Sequence, residues 1–324
     1  MQTINRNGWV FQIQDNGEAT LAECMLNAPV ITLPAFVNGH PLTEIEHDAF
    51  DHAGPCEAFR VEEGHPAFCV IDGVLFDRAG TKLIRYPHQR AADVYEPPAG
   101  TQCIGMNAFL GSRWLSCVIL PETVREIGAR AFAECPQLTD VRLPASLKAF
   151  GHEVFRGCSS LKEVWCPDGS PALVREGCFL IDRREGILLT CLPGNGETEL
   201  EAPADIRFVD EYAFYGCNSL QKIHFHHHLR ALGKYAFYHC ASLRTVDLPE
   251  GLRIIGSRAF SGCTLMRTLY VPDSVTSIEY KAFNNCDRLT LIVNKGSYTD
   301  RYCRQFGFPC HHRIQWPWQK EGHS

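Results

Sequence analysis

The densest cluster of metal-ligating residue types in this 324-residue chain is His224 to His228, reading HFHHH. In an extended segment alternate side chains share a face, so His224 and His226 project together and could share a metal ion. The spacing shows no third ligand. A His-cluster metal protein is therefore the remote alternative, and solvent-facing histidines at a strand end are the expectation. Cys56, Cys69, Cys103, Cys117 and Cys166 form no CxxC pair and have no histidine pattern nearby, which argues against a zinc or redox motif and against a catalytic cysteine. Cys303 and Cys310 could pair under oxidising conditions, although spacing alone does not establish it. The chain has no G-x-S-x-G, phosphate loop, dinucleotide fingerprint or H-E-x-x-H. Paired acids such as Glu62-Glu63 read as solvated charge. The expectation is no catalytic residue, no metal and no cofactor.

The elements that would position any site are set by a repeat. Phe50, Phe109, Phe132, Phe155, Phe214, Phe237, Phe260 and Phe283 are separated by 59, 23, 23, 59, 23, 23 and 23 residues. An undrifting 23-residue period is the mark of a solenoid, in which coils that cannot bury their own apolar residues stack on one another. The coil reads A-F-x-x-C-x-x-L-x-x-V-x-L-P-x-x-V-x-x-I-G, as in Ala236 to Gly256. L-x-x-V-x-L alternates apolar and polar residues, the period of a half-buried strand, and proline ends it. V-x-x-I-G is a second short strand, and its glycine is expected to adopt a backbone conformation awkward for other residues. A-F-x-x-C should turn the chain back as a short helical or 3₁₀ turn. Cys135, Cys158, Cys217, Cys240, Cys263 and Cys286 each follow a repeat phenylalanine by three residues, a phase that marks them as buried free thiols.

Each 59-residue gap holds one coil plus 36 extra residues. Cys69 to Pro87 and Val174 to Pro193 both show an apolar run, a charged turn and a second apolar run, which predicts a β-hairpin. Phe50 to Phe155 and Phe155 to Phe260 both span 105 residues, as if a block of several coils had been duplicated. The ends should cap the open core. The organisation expected is an N-terminal β cap over 1–41 with a turn at Asn16-Gly17, a solenoid over 42–293, a C-terminal cap over 294–315 with a helix from Tyr298 to Phe306, and a tail over 316–324.

Composition is that of an ordinary soluble chain, 45% hydrophobic and 21% charged. A formal net charge of -6 disfavours non-specific nucleic-acid binding. No apolar run approaches the roughly 18 residues that span a bilayer, so no membrane insertion is expected. The first residues form no apolar leader segment, and the phased thiols suit a reducing compartment. The expectation is a cytoplasmic protein, or a surface or secreted one if a leader or anchor lies outside this chain.

LPETVREIGARAFAECPQLTDVRLPASL and LPEGLRIIGSRAFSGCTLMRTLYVPDSVTSIEYKAF resemble BspA-type leucine-rich repeats. DGVLFD and LIRYP are similar to that family's hairpin-bearing coil, NGHPLTEIEHDAF to its first coil, and NKGSYTDRYCRQFG to its ending. The resemblance covers about residues 8 to 314 and implies an arc-shaped solenoid, found in gut and oral bacteria and some protists. Characterised members are surface proteins that bind host proteins or other cells. The fold expected is thus a leucine-rich repeat solenoid: a curved right-handed coil of short β-strands with 23-residue repeats, two hairpin-bearing 59-residue coils and few short helical turns. Departures from the pattern are His226 at the strand-ending proline and Asp210 and Glu279 at the turn glycine.

In L-x-x-V-x-L the residue between V and L faces away from the core, and stacking lines these residues up as Arg60, Ile119, Arg142, Trp165, His224, Asp247 and Tyr270. Beside them run Ala58, Cys117, Asp140, Glu163, Lys222, Thr245 and Thr268. Exposed Trp, Tyr, Arg and His on one face are the composition of an interaction surface, although strands favour aromatic residues on any face. The candidate binding residues are Arg142, Trp165, His224, Asp247 and Tyr270. The function expected is a non-enzymatic scaffold for a protein or glycan partner. The alternative is an intracellular structural or regulatory interaction protein.

Overall fold

Alternation of valine and leucine with polar residues does produce short strands, and the 23-residue period sets them side by side. The computed structural model describes residues 2–167 and 173–313. It divides into two units, Met1–Leu180 and Ile181–Ser324.

In the first unit the strands Val94–Tyr95, Cys117–Ile119, Asp140–Arg142 and Glu163–Trp165 form a parallel sheet. Its register pairs Val118 with Val141 and Val141 with Val164, all buried. A second parallel row runs through Cys103–Ile104, Glu126–Ile127 and Ala149–Phe150. Between the two sheets the rings of Phe109, Phe132 and Phe155 stack, with centroids 4.8 and 5.6 Å apart. Before the coils come the antiparallel strands Gln2–Arg6, Trp9–Ile13 and Ala19–Cys24. The expected turn at Asn16-Gly17 is present, with Gly17 at φ 85° and the Asn16 side chain accepting from the Glu18 N–H. Asn7-Gly8, with both residues at positive φ, makes another turn of the same hairpin chemistry.

In the second unit Glu199–Glu201, Lys222–His224 and Thr245–Asp247 form one parallel row. Thr268–Tyr270, Thr290–Val293 and Cys310–His312 form another. Ile187–Cys191, Phe208–Val209, Ala231–Leu232, Ile254–Ile255 and Ser277–Ile278 build the opposite sheet. Phe214, Phe237, Phe260 and Phe283 stack between the sheets at 4.5, 5.2 and 5.8 Å.

The return segment is not helical. From Phe109 onward, the residue two before each repeat phenylalanine (Asn107, Arg130, Glu153, Tyr212, Tyr235, Arg258, Lys281) and the residue two after it (Gly111, Glu134, Gly157, Gly216, His239, Gly262, Asn285) all have positive φ. Two left-handed residues four apart preclude a right-handed helical run, and leave back-to-back tight turns. The phenylalanine between them donates its N–H to the next coil, as Phe237 does to Ala259 O at 2.7 Å.

The glycines of V-x-x-I-G also differ from expectation. Gly105, Gly128, Gly151, Gly233 and Gly256 are not at positive φ. What excludes a side chain is the neighbouring coil: a Cβ on Gly128 would lie 2.5 Å from Met106 N and 2.8 Å from Gly105 C.

The phased cysteines are buried free thiols, and each also makes a hydrogen bond. The Sγ of Cys135, Cys158, Cys240, Cys263 and Cys286 donates to the carbonyl of the phenylalanine 26 residues earlier, at 2.9–3.2 Å. Serine there would keep a donor but lose polarisable bulk in an apolar column. Desolvation drives four thiols up, Cys286 to about 11 and Cys158, Cys240 and Cys263 well above the ordinary value, which removes their thiolate reactivity.

The first insert lies in the second sheet of its unit. Phe68–Ile71 and Val74–Asp77 pair antiparallel through Asp72-Gly73, with φ 47° and 74°, the geometry of a type I′ turn. Val74–Asp77 then pairs antiparallel with Lys82–Arg85 across the expected charged turn. There Asp77 Oδ1 accepts from the N–H groups of Thr81 and Lys82 at 2.7 and 2.8 Å. The insert is therefore two successive hairpins. Part of the second insert, residues 168–172, lies outside the described residues. The rest supplies the strands Leu173–Glu176, Phe179–Asp182 and Ile187–Cys191.

At the C-terminal end Tyr298–Phe306 is a helix, with Ser297 as N-cap and Gly307 at φ 64° as C-cap. Phe308 packs its ring 5.4 Å from Phe283, ending the phenylalanine stack. Residues 314 and 315 of the expected cap and the tail 316–324 lie outside the described residues. Asp300, 1% exposed, is the polar anchor of this end: it accepts from Gly296 N–H at 2.7 Å, Arg304 Nη2 at 2.5 Å and His312 Nε2 at 3.0 Å. The Gly296 N–H first, then His312, hold its carboxyl below the usual carboxylate range. A depressed folded pKa stabilises above the unfolded value of about 3.9, and that stabilisation is lost as pH falls through the folded value. The protection factors of the helix amides, which remove the intrinsic pH dependence of exchange, should accordingly fall in acid below about pH 4 in the wild type. In Asp300→Asn they should be lowered already at pH 7 and change little on acidification.

Candidate functional site

Strand register assembles parts of the outward column predicted from the coil. In the first unit Ile119 sits beside Arg142 and Arg142 beside Trp165, while Cys117, Asp140 and Glu163 form the adjacent row. Arg60 is exposed on the Ala58–Val61 strand, which pairs with Val30–Leu33. Trp165 is 51% exposed, an unusual state for the largest side chain. With Arg142, Asp140, Glu163, Cys117 and the edge of Val141 it lines a groove of about 590 Å³. The insert strand Leu173–Glu176 reaches its rim, where Arg175 Nη1 donates to Glu163 Oε1 at 2.6 Å. Arg142 and Asp140 make no ion pair among the described residues, so the groove presents an indole with an unsatisfied cation and anion beside it. Desolvation raises the Cys117 thiol, and Asp140 raises it further. Burial pushes Cys166 to about 11. Neither thiol is primed as a nucleophile.

In the second unit His224 and Asp247 are adjacent by register, with Nδ1 and Oδ2 3.5 Å apart. Tyr270 is engaged by residues far along the chain. Its hydroxyl donates to Glu250 Oε1 at 2.8 Å and accepts from Arg313 Nη1 at 3.3 Å, and the Arg313 guanidinium lies 4.9 Å from the ring centre. Of the histidine cluster, His224 and His226 do approach, with rings 5.0 Å apart, but they face different carboxylates, His226 meeting Glu201 at 3.2 Å. His228 hydrogen-bonds Ala204 O. Among the described residues no group of three or more His, Cys, Asp or Glu is placed to hold a metal ion.

The BspA type leucine rich repeat region matches residues 94–180 and 194–303, in six copies. The chain belongs to that family. Leucine-rich repeat folds of this kind are typical of binding scaffolds, since stacked repeats present extended surfaces. No curated protein matches the chain significantly. Among solved structures, the pneumococcal vaccine antigen PcpA is similar with a TM-score of 0.65 at 19% identity, over 91% of this chain and 82% of that one. A leucine rich cell surface protein from Faecalibacterium prausnitzii also gives 0.65, at 17% identity over 97% and 96%. A leucine-rich repeat protein from Eubacterium ventriosum gives 0.56, at 16% identity over 90% and 78%. At these identities the likeness is one of fold.

The repeat also lines up a second surface, which the strand-centred reading of the sequence missed. In the second unit, the position two before the phenylalanine carries Tyr212 and Tyr235, stacked at 4.7 Å, and the position one after it carries Tyr215 and Tyr238, stacked at 5.9 Å. Arg258 continues the first row, donating to the Tyr235 hydroxyl at 2.6 Å. Lys234 and Lys281 lie over the rings of Tyr235 and Tyr280. The signal was legible as tyrosines recurring at 23-residue spacing.

Proposed function

We propose that this leucine-rich repeat protein is a non-enzymatic binding scaffold that holds a protein or glycan partner on the strand face of its first unit. The observation that carries the reading is the half-exposed Trp165 in a groove beside Arg142 and Asp140, which form no ion pair among the described residues. A rigid aromatic anchor flanked by charges is the composition of interface hot spots. In the second unit, His224, Asp247 and Tyr270 are the corresponding outward residues, with Tyr270 held in place by Arg313.

The test compares wild type with Trp165→Ala and Arg142→Ala, first on a glycan array and then against purified surface proteins. For any ligand found, Trp165→Ala should weaken binding about 30-fold, the equivalent of about 2 kcal/mol, while folding stability changes by no more than about 0.5 kcal/mol. Unchanged affinity in a folded Trp165→Ala variant would refute this face.

An intracellular regulatory role is the second reading, supported by sixteen free cysteines, eleven of them buried. No helix of the described residues is long and apolar enough to cross a membrane. Fractionation of cells separates the readings: protein confined to the cytosol favours the second, and protein on the cell surface rules it out.

A further inference from the structure

On the row of the first unit that carries the insert, coil-to-coil strand pairing is interrupted once. The strand His40–Ile45 belongs to the N-terminal sheet, whereas Lys82–Arg85 belongs to the sheet of the following coils, with the hairpin strands Val74–Asp77 and Phe68–Ile71 added at its edge. Among the described residues no pairing joins His40–Ile45 to the sheet of Lys82–Arg85, and a cavity of about 370 Å³ opens at the break. That volume lies within the range of small-molecule sites.

The lining of this cavity combines apolar surface with charges of both signs. Phe50, Phe68 and Ile84 supply the apolar surface. Arg85 also lines it and is 4% exposed. Its Nη1 donates to Asn107 O at 2.8 Å and reaches Asp51 Oδ1 at 3.4 Å, but its Nε–H is buried without an acceptor. That atom is sealed from the cavity, and what a ligand carboxylate would meet is the positive charge of the guanidinium at the cavity wall. Lys82, also in the lining, makes no ion pair among the described residues. On the anionic side are Glu46, likewise without an ion pair, and Glu44, which accepts a hydrogen bond from Thr20 Oγ1 at 3.3 Å. Asp77, the third acid, is already committed to the backbone of the Thr81–Lys82 turn. The cavity thus presents Lys82 and Arg85, the latter already ion-paired with Asp51, as cations and Glu44 and Glu46 as anions, around an apolar surface.

We infer that this cavity binds a small zwitterion of the α-amino-acid class with an aliphatic side chain. Its carboxylate meets Arg85 and Lys82, its ammonium meets Glu44 and Glu46, and its side chain rests on Phe50, Phe68 and Ile84. Neither a plain anion nor a plain cation matches both sets of groups. The inference does not rest on the strand-face reading.

Calorimetric titration of the full chain tests it with four probes: L-leucine, leucyl-leucine, isocaproate (no ammonium) and leucinol (no carboxylate). Saturable binding of leucine or of the dipeptide is expected, at least tenfold tighter than either truncated analogue; the stronger of the two identifies a free amino acid or a short peptide as the ligand. Glu46→Gln and Lys82→Gln, both exposed at the rim, should each weaken binding at least threefold, and Arg85→Lys more. If Arg85→Lys fails to fold, the two rim variants carry the result. Trp165→Ala should leave leucine binding unchanged. Absence of saturable binding by both zwitterions at millimolar concentration overturns the inference, as does equal binding of the truncated analogues.

Discussion

Phe237→Ala is expected to lower the stability of the second unit by about 3–5 kcal/mol, read from urea denaturation followed by circular dichroism. The ring is fully buried, 4.5 Å from Phe214 on one side and 5.2 Å from Phe260 on the other, nearly parallel to the latter at 2°. Removing it opens a void that cannot collapse, because the coils above and below are held by backbone hydrogen bonds such as Phe237 N to Ala259 O. Both neighbours lose a stacking partner, so the loss exceeds that of an isolated core phenylalanine. Phe237→Leu should recover more than half of it. A cost below about 1 kcal/mol for the alanine variant would mean that the stack follows from the coil geometry without sustaining it.

Gly128→Ala is expected to cost about 1–3 kcal/mol, because the added methyl meets the backbone of Gly105 and Met106, which has no room to move. Gly100 is the control. It is not at positive φ either, and a Cβ there would meet nothing within 4 Å, so Gly100→Ala should be neutral or slightly stabilising. The pair discriminates between two uses of glycine: if conformational freedom were the reason for Gly128, alanine would cost no more there than at Gly100. The same close approach recurs at Gly256, where a Cβ would lie 2.7 Å from Gly233 C.

These two positions show how far the sequence could be read. The phenylalanine spacing gave both the coil length and the stack, because a core position in a solenoid must recur at the same phase in each coil. The glycine spacing gave the position of a constraint but misassigned its cause. A glycine column reads the same whether it reflects a left-handed backbone or a backbone pressed against its neighbour, and the second depends on the distance between coils. Conversely, the true left-handed positions flanking each phenylalanine are filled by Asn, Arg, Glu, Tyr, His and Lys as well as glycine, so composition concealed them. Asp72-Gly73 was the clearest turn signal of the first insert and marks a hairpin that the charged-turn pattern alone did not reveal.

For the candidate site, the alternation of side chains along a strand placed Arg142, Trp165 and His224 outward, because that alternation is local and obligatory. What those residues touch was not legible. Tyr270 meets Arg313, which is 43 residues further on, and Glu163 meets Arg175 from an insert strand. Neither contact follows any repeat phase.

The sequence by itself determined the coil, its period, its inward and outward residues, and the family to which they belong, since all of these follow from short-range pattern repeated in register. The tertiary structure alone decided which outward residues stay unpaired, why the glycine column exists, and where stacking breaks to leave the cavity around Arg85. The physical reason is that pattern specifies how like coils meet, whereas the contacts of caps and inserts, which have no like neighbour, arise from side chains that the fold brings together from unrelated phases.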